Sequence, residues 1–294
     1  MREIQGHGVA MITPFKVDGS IDFDAIPIIV NHLINGGIDF LVVLGTTAET
    51  ATLTKSEKIA LVEKIIEVNS DRLPLVLGLG GNNTQELLGM FDWFNLSSFT
   101  ALLSVTPYYN KPNQEGLYQH FKTIANNSNL PVILYNVPSR TGVNIAPETV
   151  LRLAEHFDNI VALKEASGDF QQAQTLIKLC PHNFSILSGD DEMSLPMILA
   201  GAKGVISVIG NAIPEQYSRI INEGLSRNVD KAYLIQYQLL DLIRMIYFEG
   251  NPTGVKVLME TLGLCENNLR LPLVPSTKEL TLALKEELKK VMPI

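Results

Sequence analysis

The feature that most constrains this chain is a regular alternation of short apolar runs with longer amphipathic segments. The apolar runs are residues Val9 to Thr13, Phe40 to Leu44, Leu75 to Leu79, Ala101 to Val105, Val132 to Tyr135, Ile160 to Lys164, Ser185 to Ser188 and Gly204 to Val208. Runs of this length read as buried strands, and helical segments between them make parallel βαβ units. Three helix starts are legible: Thr54-Lys55-Ser56-Glu57 forms a capping box, Asn83 precedes Glu86 by three, and Pro147 suits a first turn. Eight such units predict an α/β fold, a (β/α)8 TIM barrel, over residues 1–224. Beyond Gly224 the strand signal stops. Helical spacing of Tyr233, Leu234, Leu239, Leu240, Ile243, Ile246 and Tyr247, with helical stretches at Gly254 to Leu262 and Lys278 to Val291, predicts an all-helical appendage over residues 225–294.

Composition removes several classes of function. With 46% apolar and 18% charged residues, the 294-residue chain can bury a large core and is not a disordered or nucleic-acid-coating protein. A net charge of -8 argues against polyphosphate partners, although an anion could bind at a local cationic site. The N-terminus has no long apolar region ahead of a cleavage site, and no stretch approaches the roughly 18 apolar residues of a membrane span, so a cytoplasmic protein is expected. Cys180 and Cys265 stand far apart and predict buried free thiols. The histidines show no ligand spacing, so no metal is expected.

In a parallel barrel, chemistry sits at the C-terminal strand ends. The sixth strand ends in Leu163-Lys164-Glu165-Ala166. A lysine ammonium ordinarily titrates near 10.4, and desolvation favours the neutral amine that forms imines with ketones. A lysine that snorkels and pairs with Glu165 is the alternative. The second strand ends in Gly45-Thr46-Thr47-Ala48-Glu49-Thr50, where hydroxyls and unpaired N–H groups can grip a carboxylate, or merely cap a helix. The fifth ends in Tyr135, with Arg140 five residues on: a phenol can move protons, and guanidinium matches a carboxylate. After the fourth, Tyr108 and Tyr109 lie between Pro107 and Pro112, a stiff aromatic loop of the kind found at interfaces or packed in cores. Ser188-Gly189-Asp190-Asp191 permits close backbone approach without matching a phosphate loop.

Taken in order, Gly45-Thr46-Thr47-x-Glu49, Thr106-Pro107-Tyr108-Tyr109-Asn110, Tyr118-Gln119-His120-Phe121, the run from Leu134 to Gly142, Leu163-Lys164-Glu165-Ala166 and Ser188-Gly189-Asp190-Asp191 resemble the dihydrodipicolinate synthase family of the N-acetylneuraminate lyase superfamily. The match spans nearly the whole chain. The resemblance implies that pyruvate forms an imine with Lys164 and, as an enamine, attacks L-aspartate 4-semialdehyde, with no cofactor. It implies a proton relay of Tyr135, Thr47 and Tyr109, the last from a neighbouring protomer of a homotetramer. It further implies carboxylate binding by Thr46, Thr47 and the backbone near Ile206, with Gly189 in the same substrate set and Arg140 facing the second carboxylate.

Regulated relatives bind lysine at a dimer interface, and the matching positions here are Tyr108, Asn82, Glu86, Thr50, Ala51, Lys55 and Lys58. Lys55 and Lys58 place two cations where such relatives often carry histidines, so weak lysine inhibition is expected. Ala48 and Thr50 replace the glycine and serine of many members, which bears on loop geometry rather than on the hydroxyls. A sister aldolase acting on N-acetylneuraminate or a 2-keto-3-deoxy sugar acid is the rival reading, disfavoured by Arg140. A non-catalytic barrel would be expected to lose Lys164 or Tyr135.

Overall fold

A computed structural model describes residues 4–292. Eight strands, β1 (Gly6–Ala10), β2 (Phe40–Val43), β3 (Leu75–Gly78), β4 (Ala101–Val105), β5 (Val132–Asn136), β6 (Ile160–Glu165), β7 (Ser185–Ser188) and β8 (Gly204–Ser207), pair in chain order. All pairs are parallel, and β8 closes on β1. The helices are α1 (Ala25–Asn35), α2 (Lys55–Asn69), α3 (Thr84–Gly89), α4 (Gln114–Asn127), α5 (Pro138–Thr141), α6 (Pro147–His156), α7 (Phe170–Leu179), α8 (Ser194–Ala200), α9 (Pro214–Leu225), α10 (Val229–Met245), α11 (Thr253–Thr261) and α12 (Lys278–Val291). The predicted barrel and the helical C-terminal region are both present.

Local chemistry explains the helix starts. Thr54 and Glu57 cap α2 reciprocally, Asn83 Oδ1 accepts from the Gln85 and Glu86 N–H groups at α3, and Pro147 opens α6. One face of every strand contributes to a single buried cluster that includes Ala10, Phe40, Val76, Leu103, Ile133, Ala162, Leu187 and Ile206. This is the filled lumen. Gly8 is required there, because a Cβ would lie 2.2 Å from the Phe40 ring. On the outside, residues of α10, α11 and α12, among them Leu242, Leu258 and Leu284, share a core with Val9, Leu41 and Ile209.

Strand boundaries differ from the sequence reading where polar residues or side-chain bonds intervene. β1 runs Gly6–Ala10 rather than Val9 to Thr13. Gly6, His7 and Gly8 carry no apolar signal, yet they pair with Gly204, Val205 and Ile206 of β8. The ladder ends because the Ile12 N–H donates to Asn211 Oδ1 at 3.1 Å. β5 and β6 each extend one polar residue further, to Asn136 and Glu165, which lie in register. β2, β3 and β8 each stop one residue short of the predicted end, and Leu44 turns away from β2 with φ of 57°.

Candidate active site

Register places Tyr135 of β5 beside Lys164 of β6 at the C-terminal end of the barrel. Both side chains are buried, and the Lys164 ammonium lies 4.4 Å from the centre of the Tyr135 ring. The alternative pairing of Lys164 with Glu165 does not occur. Successive strand residues face opposite ways, and Glu165 is held on the outer face. Its carboxylate accepts from Asn136 Nδ2 at 3.0 and 3.2 Å, the Ser167 N–H at 2.6 Å and Gln172 Nε2 at 3.0 Å. Among the described residues no carboxylate pairs with Lys164. Gly189, at the end of β7, makes room for the lysine. A Cβ there would sit 2.9 Å from Lys164 Cε and 2.6 Å from Ala166 Cβ.

Lys164, Tyr135, Thr46, Thr47, Gly189 and Arg140 line one cavity of about 450 Å³. A smaller void of about 50 Å³ continues below it between Thr46, Gly78, Tyr135 and Lys164. A second large cavity, about 410 Å³, opens at the opposite barrel end beside Gly6, Asp39 and Lys203. There Arg227 spends its guanidinium on the carbonyls of Ile198 and Leu199, and the strand ends are the N-terminal ones.

The Thr46–Thr47 loop is shaped by its neighbours. Gly78 lets the Leu44 turn approach, since a Cβ would meet Leu44 O at 2.5 Å. Two short 3-10 turns follow, Thr46–Ala48 and Thr50–Thr52, joined by Glu49 in the left-handed region with φ of 52°. As the first residues of such a turn, Thr46 and Thr47 have N–H groups that no carbonyl of the turn accepts. Glu49 is buried and paired with Lys256 Nζ at 2.6 Å, while its other oxygen accepts the Arg270 N–H at 3.0 Å. Burial pushes the Lys256 ammonium below its ordinary range, and Glu49 opposes that shift. Thr47 Oγ1 accepts from Asn251 Nδ2 at 3.0 Å.

On the far side, Asp191 organises the exit of β8. Its carboxylate accepts from the N–H groups of Val208 and Ile209 and from the Tyr247 hydroxyl at 2.8 Å, and its carbonyl accepts from the Tyr217 hydroxyl. Burial, and then the Asp191 charge, hold both phenols well above the ordinary tyrosine range. Ile206 is fully buried in the lumen just before this exit. Arg140, on α5, is exposed at the mouth with no ion-pair partner among the described residues, whereas Arg244 is bound to Glu192 at 2.5 Å. Asn251, Asp191 and the Lys256–Glu49 pair were not singled out in the sequence. Asp191 stood inside a motif read only for its glycine, and Asn251 stood in the gap before a helix.

Of the expected active-site residues, two do not line the cavity: Ile206, which is packed in the lumen, and Tyr109. Tyr109 is 88% exposed, with φ of 71°, on the loop after β4. That loop is tied to Asn82 by Asn110 Nδ2 at 2.9 Å, and Tyr108 is partly exposed beside it. Glu86 is exposed on α3, Thr50 and Ala51 form part of the second 3-10 turn, and Lys55 lies 4.8 Å over the Trp93 ring. Lys58 is half-buried, which lowers its pKa. No hydrogen bond or ion pair among the described residues links Lys55 or Lys58 to Asn82, Glu86 or Tyr108. Cys180 and Cys265 are free and half-buried rather than fully buried, and burial pushes both thiols up to about 11. Among the described residues no group of three or more His, Cys, Asp or Glu side chains converges as a metal site.

Known proteins resemble this chain in sequence and fold. The model of the dihydrodipicolinate synthetase family matches residues 3–291. A 4-hydroxy-tetrahydrodipicolinate synthase of Flavobacterium psychrophilum is 53% identical over 281 residues, covering 96% of each chain. The enzyme of that name from Azobacteroides pseudotrichonymphae is 50% identical over 277 residues, 94% of each. The crystal structure of dihydrodipicolinate synthase from Aquifex aeolicus superposes with a TM-score of 0.94 at 40% identity, covering 98% of both chains. A match of this extent, at these identities and with the same barrel, shows that the chain belongs to the dihydrodipicolinate synthetase family.

Proposed function

We propose that this chain is a 4-hydroxy-tetrahydrodipicolinate synthase, a lyase of lysine and diaminopimelate biosynthesis that condenses pyruvate with L-aspartate 4-semialdehyde. The observation that carries the reading is Lys164: a buried lysine at a strand end, in a cavity, with no anionic partner among the described residues. A lysine held only for structure would be expected to sit against a carboxylate.

The Lys164 amine attacks C2 of pyruvate, and loss of water from the carbinolamine gives the imine. Removal of a methyl proton makes the enamine, whose C3 attacks the semialdehyde carbonyl. The substrate's own amine then closes on C2 and expels Lys164, so no further cofactor enters. Tyr135, against the lysine, is the proton carrier in this scheme. The sequence reading gave Thr47 both a relay and a carboxylate role. Its bond to Asn251 favours the carboxylate role, and Thr46, which borders both the cavity and the smaller void with Tyr135 and Lys164, suits the relay. The N–H groups of Thr46 and Thr47, with the backbone after Ile206 and at Gly189, would complete pyruvate's carboxylate site.

Arg140 at the mouth, with no ion-pair partner among the described residues, supports a second substrate with its own carboxylate, and so disfavours a polyhydroxylated sugar acid. The exposure of Tyr109 fits a residue donated to a neighbouring protomer, and we assign a homotetramer accordingly. We place the enzyme in the cytoplasm, as befits a biosynthetic enzyme of this family. No helix among the described residues is long and apolar enough to cross a membrane. Residues 1–224 are assigned as the catalytic barrel and 225–294 as a helical appendage.

Borohydride added with pyruvate should inactivate the protein and add one reduced pyruvyl mass to the peptide bearing Lys164, and Lys164→Ala should abolish the adduct. Labelling elsewhere, or none, refutes the mechanism. Turnover of pyruvate with the semialdehyde, coupled to the following reductase, separates this reading from the sister aldolases, which would cleave a sugar acid instead. Hybrids of Tyr109→Phe and Lys164→Ala protomers should regain activity if Tyr109 crosses between subunits.

A further inference from the structure

A carboxylate can only accept hydrogen bonds, so a hydroxyl that binds one must have its single proton free to donate. Thr47 shares that proton problem with its neighbour Asn251. Asn251 lies two residues before α11, lines the cavity, and is only 9% exposed. Its Nδ2 donates to Thr47 Oγ1 at 3.0 Å, which occupies a lone pair of the hydroxyl and leaves the O–H unspent. The other end of the amide, Oδ1, is buried with no hydrogen-bond partner among the described residues. Burying an unsatisfied acceptor is unfavourable. Among the described residues the one hydrogen bond of this side chain is the one to Thr47.

We propose that Asn251 is a positioning residue for the first substrate: by donating to Thr47 it forces that hydroxyl to act as a donor, aimed at the carboxylate of the 2-oxo acid. The inference rests on the carboxylate role of Thr47 proposed above. Asn251 touches no reacting atom; it sets the polarity of a hydroxyl that does. An acceptor at the same place would take Thr47's proton and turn a lone pair toward the substrate carboxylate.

The isosteric substitution Asn251→Asp makes that reversal. The readout is pyruvate affinity, taken from the pyruvate dependence of the borohydride inactivation rate, which requires no second substrate. Asn251→Asp should weaken pyruvate at least tenfold near neutral pH. The loss should shrink as the pH is lowered and the introduced carboxyl, once protonated, can again donate. Asn251→Ala should weaken pyruvate several-fold. In a Thr47→Val background, Asn251→Ala should add less than twofold, because the hydroxyl through which it acts is gone. Thermal melting of each variant shows whether the fold survives. Unchanged pyruvate affinity in a folded Asn251→Asp protein, at every pH, overturns the inference. So does a full multiplicative effect of Asn251→Ala on top of Thr47→Val. If Thr47→Val alone leaves pyruvate affinity untouched, the carboxylate role of Thr47 fails first and the inference falls with it.

Discussion

Replacing Lys256 by methionine should destabilise the protein more than any exposed charge change. Lys256 and Glu49 have fully buried side chains 2.6 Å apart. The ammonium also donates to Asn268 O at 2.7 Å and lies 4.5 Å over the Phe15 ring. Methionine fills much of the same volume but strands the Glu49 carboxylate with only the Arg270 N–H. Breaking one side of a buried pair costs roughly 3–5 kcal/mol, and the orphaned Asn268 carbonyl adds about 1 kcal/mol. For a chain of this size, each kcal/mol lowers Tm by about 2–4 °C, so a drop of roughly 8–24 °C is expected in scanning calorimetry. Removing both charges, as Lys256→Met with Glu49→Leu, should restore part of that loss, because the desolvation penalty disappears with the pair. Pyruvate affinity should fall in both variants, since Glu49 sits within the loop that carries Thr46 and Thr47. A shift below about 2 °C for Lys256→Met, or a double variant less stable than the sum of the singles, would refute the reasoning.

Three further outcomes are expected. Gly189→Ala should slow pyruvate trapping by on the order of 10²-fold and also lower the melting temperature, because its Cβ would meet Ala166 Cβ at 2.6 Å and displace Lys164 at a contact of 2.9 Å; normal trapping would show that the lysine relaxes freely. Buried His7 has its pKa lowered to about 3 and His120 to about 4, so the unfolded chain takes up protons below pH about 6.5 while the folded one does not. Stability is therefore complete above that pH and falls as pH drops through the window down to about 4 and then 3, by up to about 1.4 kcal/mol per unit for fully buried His7; His7→Asn should flatten the urea-unfolding profile, and an unchanged slope would contradict this. L-lysine is expected to inhibit weakly, because the resemblance to lysine-regulated relatives implies that Lys55 and Lys58 stand where such relatives often carry histidines; strong partial inhibition in initial-rate assays at sub-millimolar lysine would show that these cations do not block the site.

What the sequence determined by itself is local. Strand and helix periods repeat over a few residues, so the eight βα units, the Thr54–Glu57 cap and the placement of Lys164 and Tyr135 at strand ends follow from neighbours along the chain. The family motifs then named the chemistry. Tertiary structure decided whatever depends on residues far apart in the chain. β1 begins at Gly6 because β8 pairs with it, and no apolar pattern marks that start. Glu165 is taken up by Asn136 and Gln172, which leaves Lys164 unpaired, and a sequence that sets the two side by side cannot show that they face opposite ways. Thr47 and Asn251 are separated by 204 positions, and Glu49 and Lys256 by 207. Closure of the barrel and packing of α11 against the loop after β2 join these partners, because a buried charge or a site hydroxyl is completed by whichever side chain the packing delivers, not by its chain neighbour.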